Sequence, residues 1–249
     1  GVMGQRRDVK VILADHAGFC FGVERAIDQI EDYLKTQPNV YAMGQVVHNN
    51  AVNERLESMG LHFEEDETKV PDDAQVVLRT HGVPKRVYEY YEERGIPYLD
   101  VACPFVKRIH KIVEKLDPET DVLLLAGTVG HAEVTGTLGF ATCPAYVVHD
   151  AEELKETYIA HETEWEGKKV NLIAQTTYSL EEWEKCVTTI NLLCTNTAIF
   201  GTICNATEER QHEAEVLSKQ VNRMIVVGGR HSSNTVKLYD VCRKNCDTL

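Results

Sequence analysis

The chain alternates short apolar runs with amphipathic stretches of helical spacing, and a few polar residues separate the two. The apolar runs are rich in β-branched residues, which is typical of strands. Clear examples are residues 11–13, 76–78, 122–125, 170–174 and 224–227. Strands that alternate with helices predict an α/β fold with mainly parallel sheets. In such folds, binding groups gather where strands end and helices begin.

Three cysteines lie at junctions of this kind. Cys20 precedes an apolar helical stripe, and Cys204 precedes a spacing of the capping type. Cys103 precedes Pro104, which suits the first turn of a helix. The arrangement recurs at intervals of 83 and 101 residues. It predicts three related lobes that each present one thiolate at a helix N-terminus, where free N–H groups and the helix dipole stabilise negative charge.

The expected lobes are residues 22–103, residues 104–201, and a third lobe that combines residues 8–21 with residues 202–249. The first two lobes each contain several strand-like runs, namely 40–43, 61–63, 76–78 and 98–101, then 122–125, 145–148, 170–174 and 198–200. The third contains only 11–13 and 224–227. Because two strands with an open edge are not expected to be stable alone, the third lobe is expected to be incomplete.

The remaining junctions carry histidine, hydroxyl, amide and carboxylate side chains, in segments 45–50, 79–82, 127–133, 174–179 and 229–234. A lone loop histidine is usually a surface or satisfied residue. If the lobes face one another, however, these segments converge on the cysteines. Histidines, hydroxyls and an asparagine can hold a multiply charged phosphate without a cluster of Lys or Arg. Glu133 is then the natural proton donor or acceptor. If the three thiolates bound a four-iron cluster, one of its irons would have no protein ligand.

Composition narrows the possible functions. The formal net charge is −13 and no basic stripe is visible, so a nucleic-acid surface is not expected. No apolar run is long enough to span a bilayer, and residues 1–7 are polar and basic, so neither a membrane protein nor a secretory signal is expected. The eight cysteines form no C-x-x-C pair. A disulfide framework explains a chain of this length poorly, and a cytoplasmic location, where thiols stay reduced, is expected.

Seven segments, taken in order, match a known family: 17–23, 46–49, 80–83, 102–104, 130–137, 175–177 and 232–234. The most specific are Gly-Phe-Cys-Phe-Gly-Val at 18–23 and Gly-His-Ala-Glu-Val at 130–134. On these segments the chain resembles the 4-hydroxy-3-methylbut-2-enyl diphosphate reductases, which catalyse the last step of the methylerythritol phosphate route to isoprenoids. The resemblance runs from about Val9 to the last residue. It implies a fold of three α/β lobes around a central iron–sulfur cluster.

The resemblance also implies roles for individual residues. Cys20, Cys103 and Cys204 would ligate a [4Fe–4S] cluster with one open iron. The catalytic residues would be Glu133, Thr176 and His131, with Glu133 delivering protons and Thr176 positioning the substrate hydroxyl. The residues that hold the diphosphate would be His48, His81, His131, Ser232, Ser233 and Asn234.

The implied reaction uses two electrons and two protons to remove the allylic hydroxyl as water, which gives isopentenyl and dimethylallyl diphosphate. The implied electron donor is ferredoxin, flavodoxin or another reductase system. The family pattern continues past Leu249 with an Ala-Gly-Ala-Ser type segment whose serine also contacts the diphosphate. We therefore expect the diphosphate contacts within this sequence to be incomplete.

Three other functions fit parts of the pattern. A zinc hydrolase could use His48, His81, His131 and Glu133, but no two of these histidines have the close spacing of a helix-borne zinc site, and the cysteines stay unexplained. An iron–sulfur electron carrier or sensor would share the three cysteines but would not need the phosphate-binding set, and a carrier usually has four protein ligands. The plainest alternative is an α/β protein with buried cysteines and incidental histidines.

Overall fold

This computed structural model describes residues 8–249. The expectation that no secretory signal is present was drawn from residues 1–7, which lie outside the described part. The first elements in chain order are α1 (Phe21–Thr36), β1 (Val40–Ala42), α2 (Asn50–Ser58), β2 (His62–Phe63), a 3-10 helix (Glu67–Lys69), β3 (Gln75–Leu78), α3 (Lys85–Glu93) and β4 (Tyr98–Asp100). The four strands form one parallel sheet in the order β2-β1-β3-β4. Ile30 of α1 and Leu56 of α2 pack on Val77 of β3, whereas Val87 and Tyr91 of α3 belong to the core that contains Val76 and Leu78.

The next elements are α4 (Pro104–Glu114), β5 (Asp121–Ala126), α5 (Ala132–Leu138), β6 (Ala145–Val148), α6 (Ala151–His161), β7 (Lys169–Ala174), α7 (Leu180–Leu193) and β8 (Thr197–Ile199). They build a second parallel sheet in the order β6-β5-β7-β8. The central strands β5 and β7 are buried almost throughout, because helices cover both faces of the sheet. Val122 and Leu124 point into one core with Trp165, while Leu123 and Leu125 point into the other with Ile109.

The last elements are α8 (Asn205–Ser218), β9 (Arg223–Met224), α9 (Ser233–Arg243) and β10 (Asp247–Thr248). The strands β9 and β10 form a third, two-stranded parallel sheet. Two details of the sequence prediction are wrong here. Residues 11–13 form no strand, and Val11 and Leu13 are 86% and 81% exposed. Strand β9 ends at Met224 rather than at residue 227, and its partner is the polar pair Asp247–Thr248.

The physical reason is that a strand needs a neighbour for its backbone N–H and C=O groups. Among residues 8–249, the apolar run 11–13 has no strand beside it, so its β-branched residues do not form sheet structure. The predicted α/β fold with parallel sheets is nevertheless confirmed, since every strand pairing in the described residues is parallel. The lobe boundaries stay a prediction. No helix within residues 8–249 combines the length and hydropathy needed to cross a membrane.

Candidate active site

Each of the three cysteines occupies the N-cap of a helix. Cys20 caps α1, Cys103 caps α4 and Cys204 caps α8, all with extended backbone. At Cys204 the side chain itself caps the helix, because its Sγ accepts the backbone N–H of Thr207 at 3.4 Å and lies 3.0 Å from Thr207 Oγ1. The predicted order of strand, cysteine and helix therefore holds at Cys103 and Cys204, whereas at Cys20 only the helix is present.

The three sulfurs approach one another. A Cβ atom placed on Gly22 would stand 2.9 Å from Cys103 Sγ and 3.9 Å from Cys20 Sγ, so position 22 in the first turn of α1 has room only for glycine. Burial raises the pKa of Cys103, and the neighbouring Cys20 and Cys204 raise it further. Burial also raises the pKa of Cys204. At Cys103 and Cys204, burial thus outweighs the helix N–H groups that were expected to favour thiolates.

For all three cysteines to be thiolates, a positively charged group must lie between them, and the geometry limits what that group can be. Among residues 8–249, no set of three or more His, Cys, Asp or Glu side chains is arranged to hold a single metal ion. A mononuclear zinc site built on the histidines and Glu133 is therefore not supported. A larger, polynuclear iron–sulfur group fits three half-buried cysteines at three helix N-termini better than one ion does.

Three histidine rings form a cluster beside the cysteine-bearing helices. His48 follows β1, His81 follows β3 and His131 caps α5. Their ring centroids are 3.8 Å apart for His48 and His81, 4.9 Å for His48 and His131, and 5.9 Å for His81 and His131. The ends of two different parallel sheets thus bring these side chains together.

Each ring leaves one buried nitrogen without a hydrogen-bond partner among the described residues, namely His48 Nε2, His81 Nδ1 and His131 Nε2. The backbone N–H of Glu133 donates to His131 Nδ1 at 3.2 Å, so the neutral ring carries its proton on Nε2. Burial lowers the pKa of His48 to about 4 and also lowers the pKa values of His81 and His131. The three histidine rings are therefore uncharged at neutral pH, with polar nitrogens that a polar ligand could satisfy.

Arg79 is a candidate site residue that the sequence analysis did not single out. It follows β3, and its Nε donates to the carbonyl of Gly82 at 3.1 Å while Nη1 donates to that of Met43 at 3.5 Å. Its positive charge contributes to the lowered pKa of all three clustered histidines. The only signal in the sequence was its position directly before Thr80 and His81 at a strand end.

Glu133 and Thr176 form a buried pair between α5 and the loop after β7. Glu133 is only 4% exposed, and its Oε1 and Oε2 accept the backbone N–H and the hydroxyl of Thr176, each at 2.7 Å. Burial raises the pKa of Glu133 to about 7, and the two bonds from Thr176 oppose that rise. Glu133 can therefore be protonated or ionised near neutral pH, as an acid–base group requires.

The N-terminus of α9 completes the arrangement. Ser232 caps the helix by accepting the backbone N–H of Thr235 at 3.3 Å, and Ser233 accepts the hydroxyl of Thr177 at 2.8 Å. Asn234 Oδ1 is buried without a partner in the described residues. The preceding loop lies against the histidine cluster, since a Cβ on Gly229 would be 3.6 Å from the His48 carbonyl oxygen. A helix N-terminus of this kind favours anions.

Comparison with known proteins gives a consistent result. The profile of the LytB protein family matches residues 11–249. The 4-hydroxy-3-methylbut-2-enyl diphosphate reductase of Caldanaerobacter subterraneus subsp. tengcongensis is 37% identical over 242 residues, which is 96% of this chain and 82% of that protein. The enzyme of the same name from Helicobacter pylori is 38% identical over 240 residues, or 96% and 84% of the two chains.

Solved structures agree. The E-1-hydroxy-2-methyl-but-2-enyl-4-diphosphate reductase of Plasmodium falciparum superposes with a TM-score of 0.85 at 30% identity, over 93% of this chain and 73% of that one. A second structure, of (E)-4-hydroxy-3-methyl-but-2-enyl diphosphate reductase, the terminal enzyme of the non-mevalonate pathway, gives 0.70 at 35% identity, over 96% and 84%.

Proposed function

This chain belongs to the LytB protein family, and we propose from that premise that it reduces 4-hydroxy-3-methylbut-2-enyl diphosphate to isopentenyl and dimethylallyl diphosphate. The chain is thus an oxidoreductase of the non-mevalonate route to isoprenoids. The observation that carries the proposal is the cluster of three histidine rings, whose centroids lie within 6 Å of one another. One of them, His131, accepts the backbone N–H of the buried Glu133, which lies close enough to Cys204 to raise its pKa.

Cys20, Cys103 and Cys204 would hold a [4Fe–4S] cluster, and their placement at three helix N-termini supports this assignment. When bound, the cluster supplies the electrons for the reduction. A ferredoxin or flavodoxin type protein is the electron donor that we propose. None of the eight cysteines, all of which lie within the described residues, forms a disulfide, so all three proposed ligands are available to bind iron.

The histidine cluster would bind the diphosphate. His131 would donate its Nε2 proton to a phosphate oxygen, and the unpartnered nitrogens of the neighbouring His48 and His81 rings would supply further hydrogen bonds. A nearby anion favours protonated rings, so binding would raise the histidine pKa values that burial has lowered. The charge of Arg79 and the N-terminus of α9 would add to the attraction.

Glu133 would supply protons to the substrate. Removal of a hydroxyl as water consumes two protons and two electrons, and a carboxyl with a pKa of about 7 can release and recover a proton at neutral pH. The hydroxyl and backbone N–H of Thr176 fix both carboxyl oxygens, so they would orient the acid toward the reacting oxygen. Burial around this pair keeps water away from the transferred proton.

The test is turnover of 4-hydroxy-3-methylbut-2-enyl diphosphate by anaerobically reconstituted protein with a strong artificial reductant. The matched control is Glu133→Gln, which keeps the shape of the side chain and should lose about 100-fold or more in kcat, the usual contribution of a positioned acid–base group. Formation of the two five-carbon diphosphates would support the proposal. A protein that retains iron and sulfide but neither binds nor turns over the diphosphate would instead be an electron carrier or sensor.

A further inference from the structure

The three cysteines differ in how their backbones are anchored. The backbone N–H of Cys103 donates to the carbonyl of Thr80 at 3.1 Å, and that of Cys204 donates to the carbonyl of Thr176 at 3.1 Å. Both cysteines are therefore tied directly to loops that carry candidate site residues. The N–H of Cys20 has no such backbone acceptor among residues 8–249. Its carbonyl accepts the N–H groups of Val23 and Glu24, so α1 fixes Cys20 on the C-terminal side, and a tie on the N-terminal side must come from elsewhere.

The segment that leads to Cys20 has little structure of its own. Residues 14–19 form only a turn and a bend, and Gly18 has a left-handed backbone with φ of 91°. Phe19 and the apolar residues of 11–13 are exposed, so no hydrophobic core holds the segment in place. A loop with few buried contacts opens at low free-energy cost.

Three side chains on α8 contact this loop: Glu209 lies 3.6 Å from His16 Nε2 through Oε2, and Arg210 and Glu213 make its hydrogen bonds. Glu213 receives hydrogen bonds on both carboxylate oxygens: Oε1 accepts the backbone N–H of Asp15, and Oε2 accepts the backbone N–H of His16 at 3.0 Å and its ring Nδ1 at 2.5 Å. Arg210 Nη2 donates to the carbonyl of Gly18 at 2.7 Å. We call Arg210 and Glu213 the α8 clamp. Charge-assisted bonds of this kind are the stronger class of hydrogen bond.

The clamp connects two of the three cysteines. Helix α8 begins directly after Cys204, so Arg210 and Glu213 lie within its first three turns. In the loop, their hydrogen-bond partners are Asp15, His16 and Gly18, so the last contact lies two residues before Cys20. We propose that Arg210 and Glu213 are positioning residues that hold the Cys20 loop against the Cys204 helix and thereby set the Cys20 sulfur for a shared cluster. The proposal rests on the cluster assigned under the proposed function.

The variants that test the clamp are Glu213→Ala, which removes all three bonds to Asp15 and His16, and Glu213→Gln, which keeps an oxygen acceptor without the charge. The matched control is Glu215→Ala, an exposed glutamate on the same helix that pairs only with Lys219 among the described residues. The first readout is the rate at which holoprotein releases iron to a chelator without oxygen. The second is the alkylation rate of each cysteine, followed by mass spectrometry after the iron has been removed.

We expect Glu213→Ala to release iron several-fold faster than the parent, because three solvent-exposed hydrogen bonds, each worth little alone, are lost together. We expect Cys20 alone to be alkylated faster by a similar factor, with Cys103 and Cys204 unchanged, and Glu213→Gln to lie between Glu213→Ala and the parent. Parent rates in Glu213→Ala, or equal acceleration of all three cysteines, would overturn the proposal. Because alkylation is measured without iron, it tests the clamp even if the parent proves to bind no cluster.

Discussion

Glu133 should give the protein a characteristic dependence of stability on pH. Below pH 4.5 the carboxyl is protonated in both the folded and the unfolded chain, so its burial costs nothing in ionisation. Between pH 4.5 and about 7 the unfolded chain ionises Glu133 while the folded chain keeps it protonated. Folding therefore loses free energy as the pH rises through this window. With about 1.4 kcal/mol for each pH unit, the full loss is about 3 kcal/mol and is reached above pH 7.

The change that isolates this effect is Glu133→Gln, which cannot ionise. Urea unfolding of the metal-free protein at pH 4.5 and pH 8 gives the free energy of unfolding of both proteins. The variant should gain about 3 kcal/mol relative to the parent between the two pH values. The clustered histidines titrate in both proteins, so their contribution cancels in the difference.

Thr176→Val provides a second, directional check. It removes the hydroxyl bond that stabilises the Glu133 carboxylate, so the pKa of Glu133 should rise further and the loss of stability should extend to higher pH. In the Glu133→Gln background, Thr176→Val should not change the pH dependence. A difference between parent and Glu133→Gln that is the same at both pH values would refute the reasoning, because burial would then not perturb this carboxyl.

Three further predictions concern the cysteines and the anion site. Cys103→Ser should lose most of its bound iron and sulfide in elemental analysis, and full retention would remove Cys103 from the metal site. His131→Ala should weaken binding of isopentenyl diphosphate, measured by calorimetry, by about tenfold or more, and unchanged affinity would contradict its role. Arg79→Met should weaken the binding of inorganic pyrophosphate several-fold and reduce the salt dependence of that binding. If the variant had the same Kd and salt dependence as the parent, the charge of Arg79 would not contribute to anion binding.

The sequence predicted the parts of the fold that depend on local pattern. Strands β5 and β7 were recognisable because they are buried on both faces and read as continuous apolar runs. Pro104 marked the start of α4 for a similarly local reason, since proline loses nothing at the first helical position. The approach of the three histidine rings was expected only on the condition that the lobes face each other.

The features that the sequence did not predict depend on distant neighbours. The polar pair Asp247–Thr248 becomes a strand only because β9 lies beside it, and the strand-like run 11–13 stays irregular because the described residues offer it no partner. His16 and Glu213 are separated by 197 residues, so no periodicity connects them. The raised pKa of Glu133 results from burial that only the folded chain creates.

The spacing of the three cysteines has a thermodynamic consequence for the whole chain. A group bound by Cys20, Cys103 and Cys204 would close two covalent loops of 83 and 101 residues. In the chain-entropy model, one crosslink across about 100 residues lowers the free energy of folding by about 5 kcal/mol, because it removes conformations from the unfolded state. Oxidative loss of the group would therefore lower global stability as well as reducing power, and the damaged protein would become a better substrate for proteases.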